Sequence, residues 1–168
     1  MNANAQELNI HSRAKDERSK KLSNFAKAPF ELDGVKLASI EGLLQGIKYQ
    51  EGDPGREKTF GMSGLAAKVS GRKAPWTGMV YWNGEALRFG SDAHRALLIR
   101  GLEAKFTQCA DAKAALQATG ELILVHKLGR FAGKCRGQGS LPNQLFCKTL
   151  MRIRDQLRAT ETAPILNA

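Results

Sequence analysis

Between Phe30 and Ile47 the apolar positions change their period. Phe30-Glu31-Leu32 and Val35-Lys36-Leu37 alternate around Asp33-Gly34, which predicts a two-residue β-hairpin, since Asp-Gly accepts the positive φ such a turn needs. From Ser39 the spacing becomes helical. Ile40, Leu43, Leu44 and Ile47 recur at i, i+3, i+4 and i+7, and Ser39 is placed to cap the first turn. A second hairpin is predicted where Met79-Val80-Tyr81-Trp82 runs into Asn83-Gly84. Ser91 then opens a helix from Asp92 to Phe106, with Leu98, Leu102 and Phe106 at every fourth position. Another helix is expected from Ala110 to Thr119, stopped by Gly120, and a last one from about Asn143, with Phe146, Leu150, Ile153 and Leu157 as its core stripe.

Other segments carry weaker patterns. Glu51 to Gly55 is a dense turn signal, and Thr59 to Lys73 reads as one short helix rich in small residues. Leu122-Ile123-Leu124-Val125 fits either a short strand or helical core. Residues 1–21 mix charges without an apolar stripe, so they read as a basic extension, a frayed helix or disorder. With residues 22–158 as the folded unit and 159–168 as a tail, the expectation is a mainly α, single compact multihelical domain with small β-hairpins near the N-terminus and mid-chain.

Composition narrows the class. A chain of 168 residues, 42% hydrophobic and 25% charged, suits one soluble domain with a core large enough to frame a cleft. No run approaches the ~18 apolar residues of a membrane span, and the N-terminal stretch lacks the apolar region of a secretory signal, so the cytoplasm is the expected compartment. Cys109, Cys135, Cys147 and the scattered His11, His94 and His126 show no ligand spacing; no metal and no cofactor are expected. The net charge of +10 favours phosphate-bearing partners. Much of it falls on Lys127, Arg130, Lys134, Arg136, Lys148, Arg152, Arg154 and Arg158, which read either as a solvated face or as a phosphate site. Gly129 to Gly139 combines four glycines with basic residues but has no phosphate-loop motif.

The first helix also carries chemistry. Glu41, Gln45 and Lys48 sit at i, i+4 and i+7 beside its apolar face. A glutamate there could simply favour the helix dipole, and Lys48 could be an exposed neighbour of Gln45. The order of pieces, however, resembles the NADAR superfamily: Ser23-Asn24-Phe25, then PFELDG, SIEGLLQGIKY, LEAKFTQ and NQLFCKTLMRIRDQL, across residues 22–158. The resemblance implies a small helical domain that hydrolyses N-glycosidic bonds, in phosphorylated ribosylamino-pyrimidines of the riboflavin pathway or in ADP-ribose attached to guanine. Nucleic acid bearing ADP-ribose is then a partner, and no membrane is.

The resemblance further implies Glu41 and Lys48 as the catalytic residues. Glu41 would orient a water or stabilise an oxocarbenium-like state. Lys48 would bind phosphate, pair with the carboxylate or attack an opened sugar aldehyde. Asn24, Phe25 and Gln45 would be the matching substrate contacts, and Arg72, Lys105 and Asn143 phosphate or ribose contacts; by their own chemistry Tyr81 and Trp82 read either as a stacking face for a base or as strand aromatics of the core. Two departures stand out. Family members show a glutamate-histidine pair where this chain has Glu41-Gly42, and an aspartate with a tryptophan-glycine pair where it has Gly129-Arg130-Phe131-Ala132-Gly133. A glycosidase and a non-catalytic binder of ADP-ribose, nucleotide or nucleic acid are therefore both open. A second acidic group near Glu41, from Asp53, Glu85 or Asp92, would favour the enzyme.

Overall fold

The computed structural model describes residues 6–127 and 140–162. Seven helices and six short strands fall within them. The central element is α5 (Asp92–Gln108), whose Leu98, Leu102 and Phe106 are fully buried. Against it pack α2 (Ile40–Gly46), α6 (Ala110–Gln117), α7 (Asn143–Thr162) and the strand β2 (Phe30–Leu32). Ile40, Leu43 and Ile47 supply the α2 side of this contact and are buried as their spacing predicts, while Leu44 is partly buried at its edge. In α7, Phe146, Leu150 and Ile153 are buried and Leu157 packs against the core. No helix among the described residues is long and apolar enough to cross a membrane.

Both hairpins have the predicted register. In the first, β2 pairs antiparallel with β3 (Val35–Leu37), and in the second, β4 (Met79–Trp82) pairs with β5 (Glu85–Arg88). Asp33 and Asn83 hold φ of 50° and 51° at the turns, the conformation that Asp-Gly and Asn-Gly tolerate. Asp33 also clasps the two hairpins together. Its Oδ2 accepts from Trp82 Nε1 at 2.7 Å and from Asn83 Nδ2 at 3.2 Å, and its Oδ1 takes Arg100.

The N-terminal stretch differs from the expected extension. Glu7–Asn9 forms β1, parallel to β6 (Ile123–Val125), and this pairing settles the apolar run as a strand that begins at Ile123. Ile10 is fully buried, and α1 (Glu17–Leu22), capped by Asp16, places Leu22 and Ser19 in the interior. The pattern is hard to see because only alternate residues of a three-residue strand point inward. Residues 59–73 also depart from the single expected helix. They divide between α3 (Pro54–Phe60) and α4 (Gly64–Gly71), because Gly61 ends the first and Ser63 is extended before the second. The last helix continues to Thr162 rather than giving way to a tail at residue 159.

Candidate active site

Three segments meet around α2. The linker between α1 and β2 brings Asn24 and Phe25, α2 brings Glu41 and Gln45 with Lys48 just after it, and α4 brings Lys68, with Arg72 just after it. The linker joins α2 directly, since the Glu41 N–H donates to the Asn24 carbonyl at 2.9 Å. Ser39 Oγ accepts from Gly42 N–H at 2.8 Å and donates to Met62 O at 2.9 Å, so the cap of α2 also fastens the turn between α3 and α4.

Along α2 the polar side chains form a relay. Gln45 Nε2 donates to Glu41 Oε1 at 2.8 Å, and Lys48 Nζ donates to Gln45 Oε1 at 2.6 Å. Glu41 is only 6% exposed, Gln45, Lys48 and Lys68 are half-buried, and Arg72 is exposed. The carboxylate is thus buried, while the cations whose charges reach it are more exposed. Burial pushes the Glu41 carboxyl above its usual range, opposed by the Gln45 hydrogen bond and the charges of Lys68 and Lys48. Burial pulls the Lys48 ammonium down; Glu41 opposes this, while Lys68 and Arg72 add to it. Lys68 Nζ lies 5.7 Å from the centroid of the Phe25 ring, within cation–π range. Asn24 Oδ1 is buried without a protein partner, an acceptor that a substrate hydroxyl or amine would satisfy.

Most of the sequence candidates therefore converge: Asn24, Phe25, Glu41, Gln45, Lys48 and Arg72. Lys68 was missed. Its spacing of four from Arg72 was the available signal, hidden by reading residues 59–73 as one helix valued for its small residues. The remaining candidates belong elsewhere. Trp82 is 4% exposed, packs edge-on against Phe60 and gives its N–H to Asp33, so it is core and offers no stacking face. Tyr81 donates its backbone N–H to Ile47 O at 2.7 Å, but its hydroxyl turns to Gln50 and Thr77. Lys105 is fully buried, which rules it out as a direct phosphate contact. Asn143 Nδ2 donates to His126 O at 3.2 Å at the start of α7.

Among the described residues, no second carboxylate joins Glu41. Asp53 caps α3 through Gly55 N–H, Glu85 is exposed on β5, and Asp92 is exposed at the start of α5. The charges acting on Glu41 are lysines. Gly42 has a steric reason. A Cβ built on it would lie 2.7 Å from Met62 O and 3.1 Å from the carbonyls of Thr59 and Phe60, so the histidine of other members would need the α3–α4 turn to move away. The second departure, at residues 129–133, lies outside the described residues, as does the whole Gly129 to Gly139 stretch. Among the described residues, no group of three or more His, Cys, Asp or Glu side chains could hold a metal ion.

The family model described as bacteriophage protein GP30.3 matches residues 17–155. The chain belongs to this family. It is a NADAR-type family, as the ordered motifs imply. An uncharacterised 17.1 kDa protein from the Gp30–rIII intergenic region of Enterobacteria phage T4 is 33% identical over 139 residues, spanning 81% of this chain and 90% of the relative. The NMR structure of the E. coli protein YbiA matches with a TM-score of 0.66 at 24% identity, over 98% of this chain and 92% of YbiA. The fold is thus YbiA-like, mostly helical with a few short strands in small sheets.

Proposed function

We propose that this GP30.3-family protein is an N-glycosidase acting on a phosphorylated ribosyl or ADP-ribosyl substrate. The observation that carries the reading is one buried carboxylate, Glu41, within electrostatic reach of Lys48 and Lys68, with Arg72 in turn within reach of Lys48. The lysines and the arginine, more exposed than Glu41, hold phosphate oxygens, and the anomeric carbon lies toward the buried carboxylate. As the bond from that carbon to the base nitrogen breaks, its electron pair stays on the base and positive charge grows on the ribose. Glu41 stabilises that charge and takes a proton from the attacking water, whose oxygen bonds to the anomeric carbon. The proton ends on the released base nitrogen, so the products are a free base and a sugar with an anomeric hydroxyl. Asn24 Oδ1 accepts from a ribose hydroxyl or a base amine.

The family resemblance and the fold support this class of reaction, while the lack of a second carboxylate beside Glu41 among the described residues favours a second reading, a protein that holds the same ligand without cleaving it. One experiment separates the two. The full chain is incubated with ADP-ribosylated DNA and with a phosphorylated ribosylamino-pyrimidine, and base release is followed by chromatography. Release by wild type and its loss in Glu41→Gln are expected; binding without release from either substrate would establish the non-catalytic reading.

A further inference from the structure

Lys105 carries an ammonium group in the middle of the core. Its side chain lies on α5, is fully buried, and Nζ sits 4.8 Å from the Phe106 ring centroid. A methionine or leucine would fill such a space with no charge to desolvate, so the amine needs an explanation in what it touches. It touches two carbonyls, Lys21 O and Ser23 O, each at 3.0 Å. Lys21 is in the last turn of α1 and Ser23 is its C-cap, where the linker to β2 begins, and both lie more than eighty residues away in sequence. Burial lowers the group to about 7, so each of its bonds is one that a neutral amine can also donate.

The linker that begins there is the one that meets Glu41. Ser23 O also accepts from Ala26 N–H at 3.1 Å, which closes a turn around Asn24 and Phe25. From that turn Asn24 O takes the Glu41 N–H, and the Phe25 ring meets Lys68. We propose that Lys105 is a positioning residue: by pinning Lys21 O and Ser23 O it fixes the Asn24-Phe25 turn against Glu41 and Lys68. The proposal rests on reading the surroundings of Glu41 as the site. Its chemistry is that of an interior donor holding a binding segment, and Lys105 itself meets no substrate.

Amide hydrogen exchange on the ligand-free full chain tests it, in Lys105→Met and Lys105→Gln. In the methionine variant the Glu41 and Ala26 amides are expected to exchange about tenfold faster or more, while Tyr81 and Ala118, bonded to Ile47 O and Ala114 O, stay near wild type. The glutamine variant keeps a side-chain donor and is expected to recover part of the protection. Equal acceleration at all four amides, unchanged exchange at Glu41 and Ala26, or failure of both variants to fold would overturn the proposal. This readout needs no turnover, so selective exchange in a protein that releases no base would refute the glycosidase reading alone. Where wild type does release base, kcat is expected to fall by about tenfold in Lys105→Met and to rise again in Lys105→Gln. Unchanged kcat in both would overturn the positioning role.

Discussion

Gln45 and Gly71 are packed so closely that a Cβ on Gly71 would lie 2.1 Å from Gln45 Oε1 and 2.5 Å from Gln45 Cβ. Gly71 faces the middle of Gln45, whose amide links Glu41 to Lys48, so the close crossing of α2 and α4 sets the relay. Gly71→Ala is expected to cost about 1–3 kcal/mol, as overpacked interiors do, and to displace Gln45. Urea unfolding would measure the first effect and affinity for a phosphorylated ribosyl ligand the second. Wild-type stability together with wild-type affinity would show that the crossing has slack.

Glu41 should report its burial through pH. Its carboxyl is raised above the ordinary 4.5 chiefly by desolvation. Such a group favours the folded state while protonated, and that contribution is lost as pH rises through the folded value. Glu41→Gln stays neutral throughout. Wild type is therefore expected to lose stability relative to Glu41→Gln as pH rises from the acid range toward neutrality. A gap between the two that does not change with pH would mean that the carboxylate is well solvated.

Phosphate binding is expected to depend on the α4 cations rather than on the C-terminal basic run. In the described part of that run Lys127 pairs with Glu7, Arg152 with Glu103 at 2.8 Å, and Arg158 with Glu121 at 2.6 Å. Arg154 is buried, donating to Thr119 Oγ1 and Leu122 O. Lys68→Ala and Arg72→Ala should each weaken a phosphorylated ligand about tenfold, the scale of a charge-assisted hydrogen bond, and the loss should shrink in high salt. Lys127→Ala and Arg152→Ala should change little. Titration calorimetry in the four variants decides, and the reverse ranking would move the phosphate site to the C-terminal face.

What the sequence made legible was local. The two hairpins and the capped α2 stand out because their turns and caps need particular residues, Asp33-Gly34, Asn83-Gly84 and Ser39, next to a clean apolar period. The position of Glu41, Gln45 and Lys48 on one stripe follows from helix geometry alone. For Lys68 the sequence offered only its spacing of four from Arg72, since its place beside Glu41 depends on how α4 crosses α2, which Gly42 and Gly71 decide through contacts far away in sequence. Trp82 and Lys105 show the opposite limit. An aromatic and a lysine look like ligand contacts in a linear chain, and only packing shows that one gives its N–H to Asp33 and the other its ammonium to the interior.

His94 should govern stability in mild acid. It is fully buried beside Phe89, with ring centroids 5.0 Å apart, and its Nδ1 accepts from Gly90 N–H at 2.9 Å. That bond requires Nδ1 to be unprotonated. Burial, with the charge of Arg95 second, lowers the group from 6.5 to about 4. A base depressed in this way binds its proton more readily in the unfolded chain, so its contribution is complete above 6.5 and is lost as pH falls toward 4. The shift corresponds to roughly 3 kcal/mol at most. His94→Gln keeps an acceptor but does not titrate. The difference in unfolding free energy between wild type and His94→Gln is therefore expected to fall as pH is lowered from 7 to 4, carboxylates common to both chains cancelling. Parallel curves would show that the imidazole can take up its proton inside the fold, by rotating away from Gly90 or by admitting water.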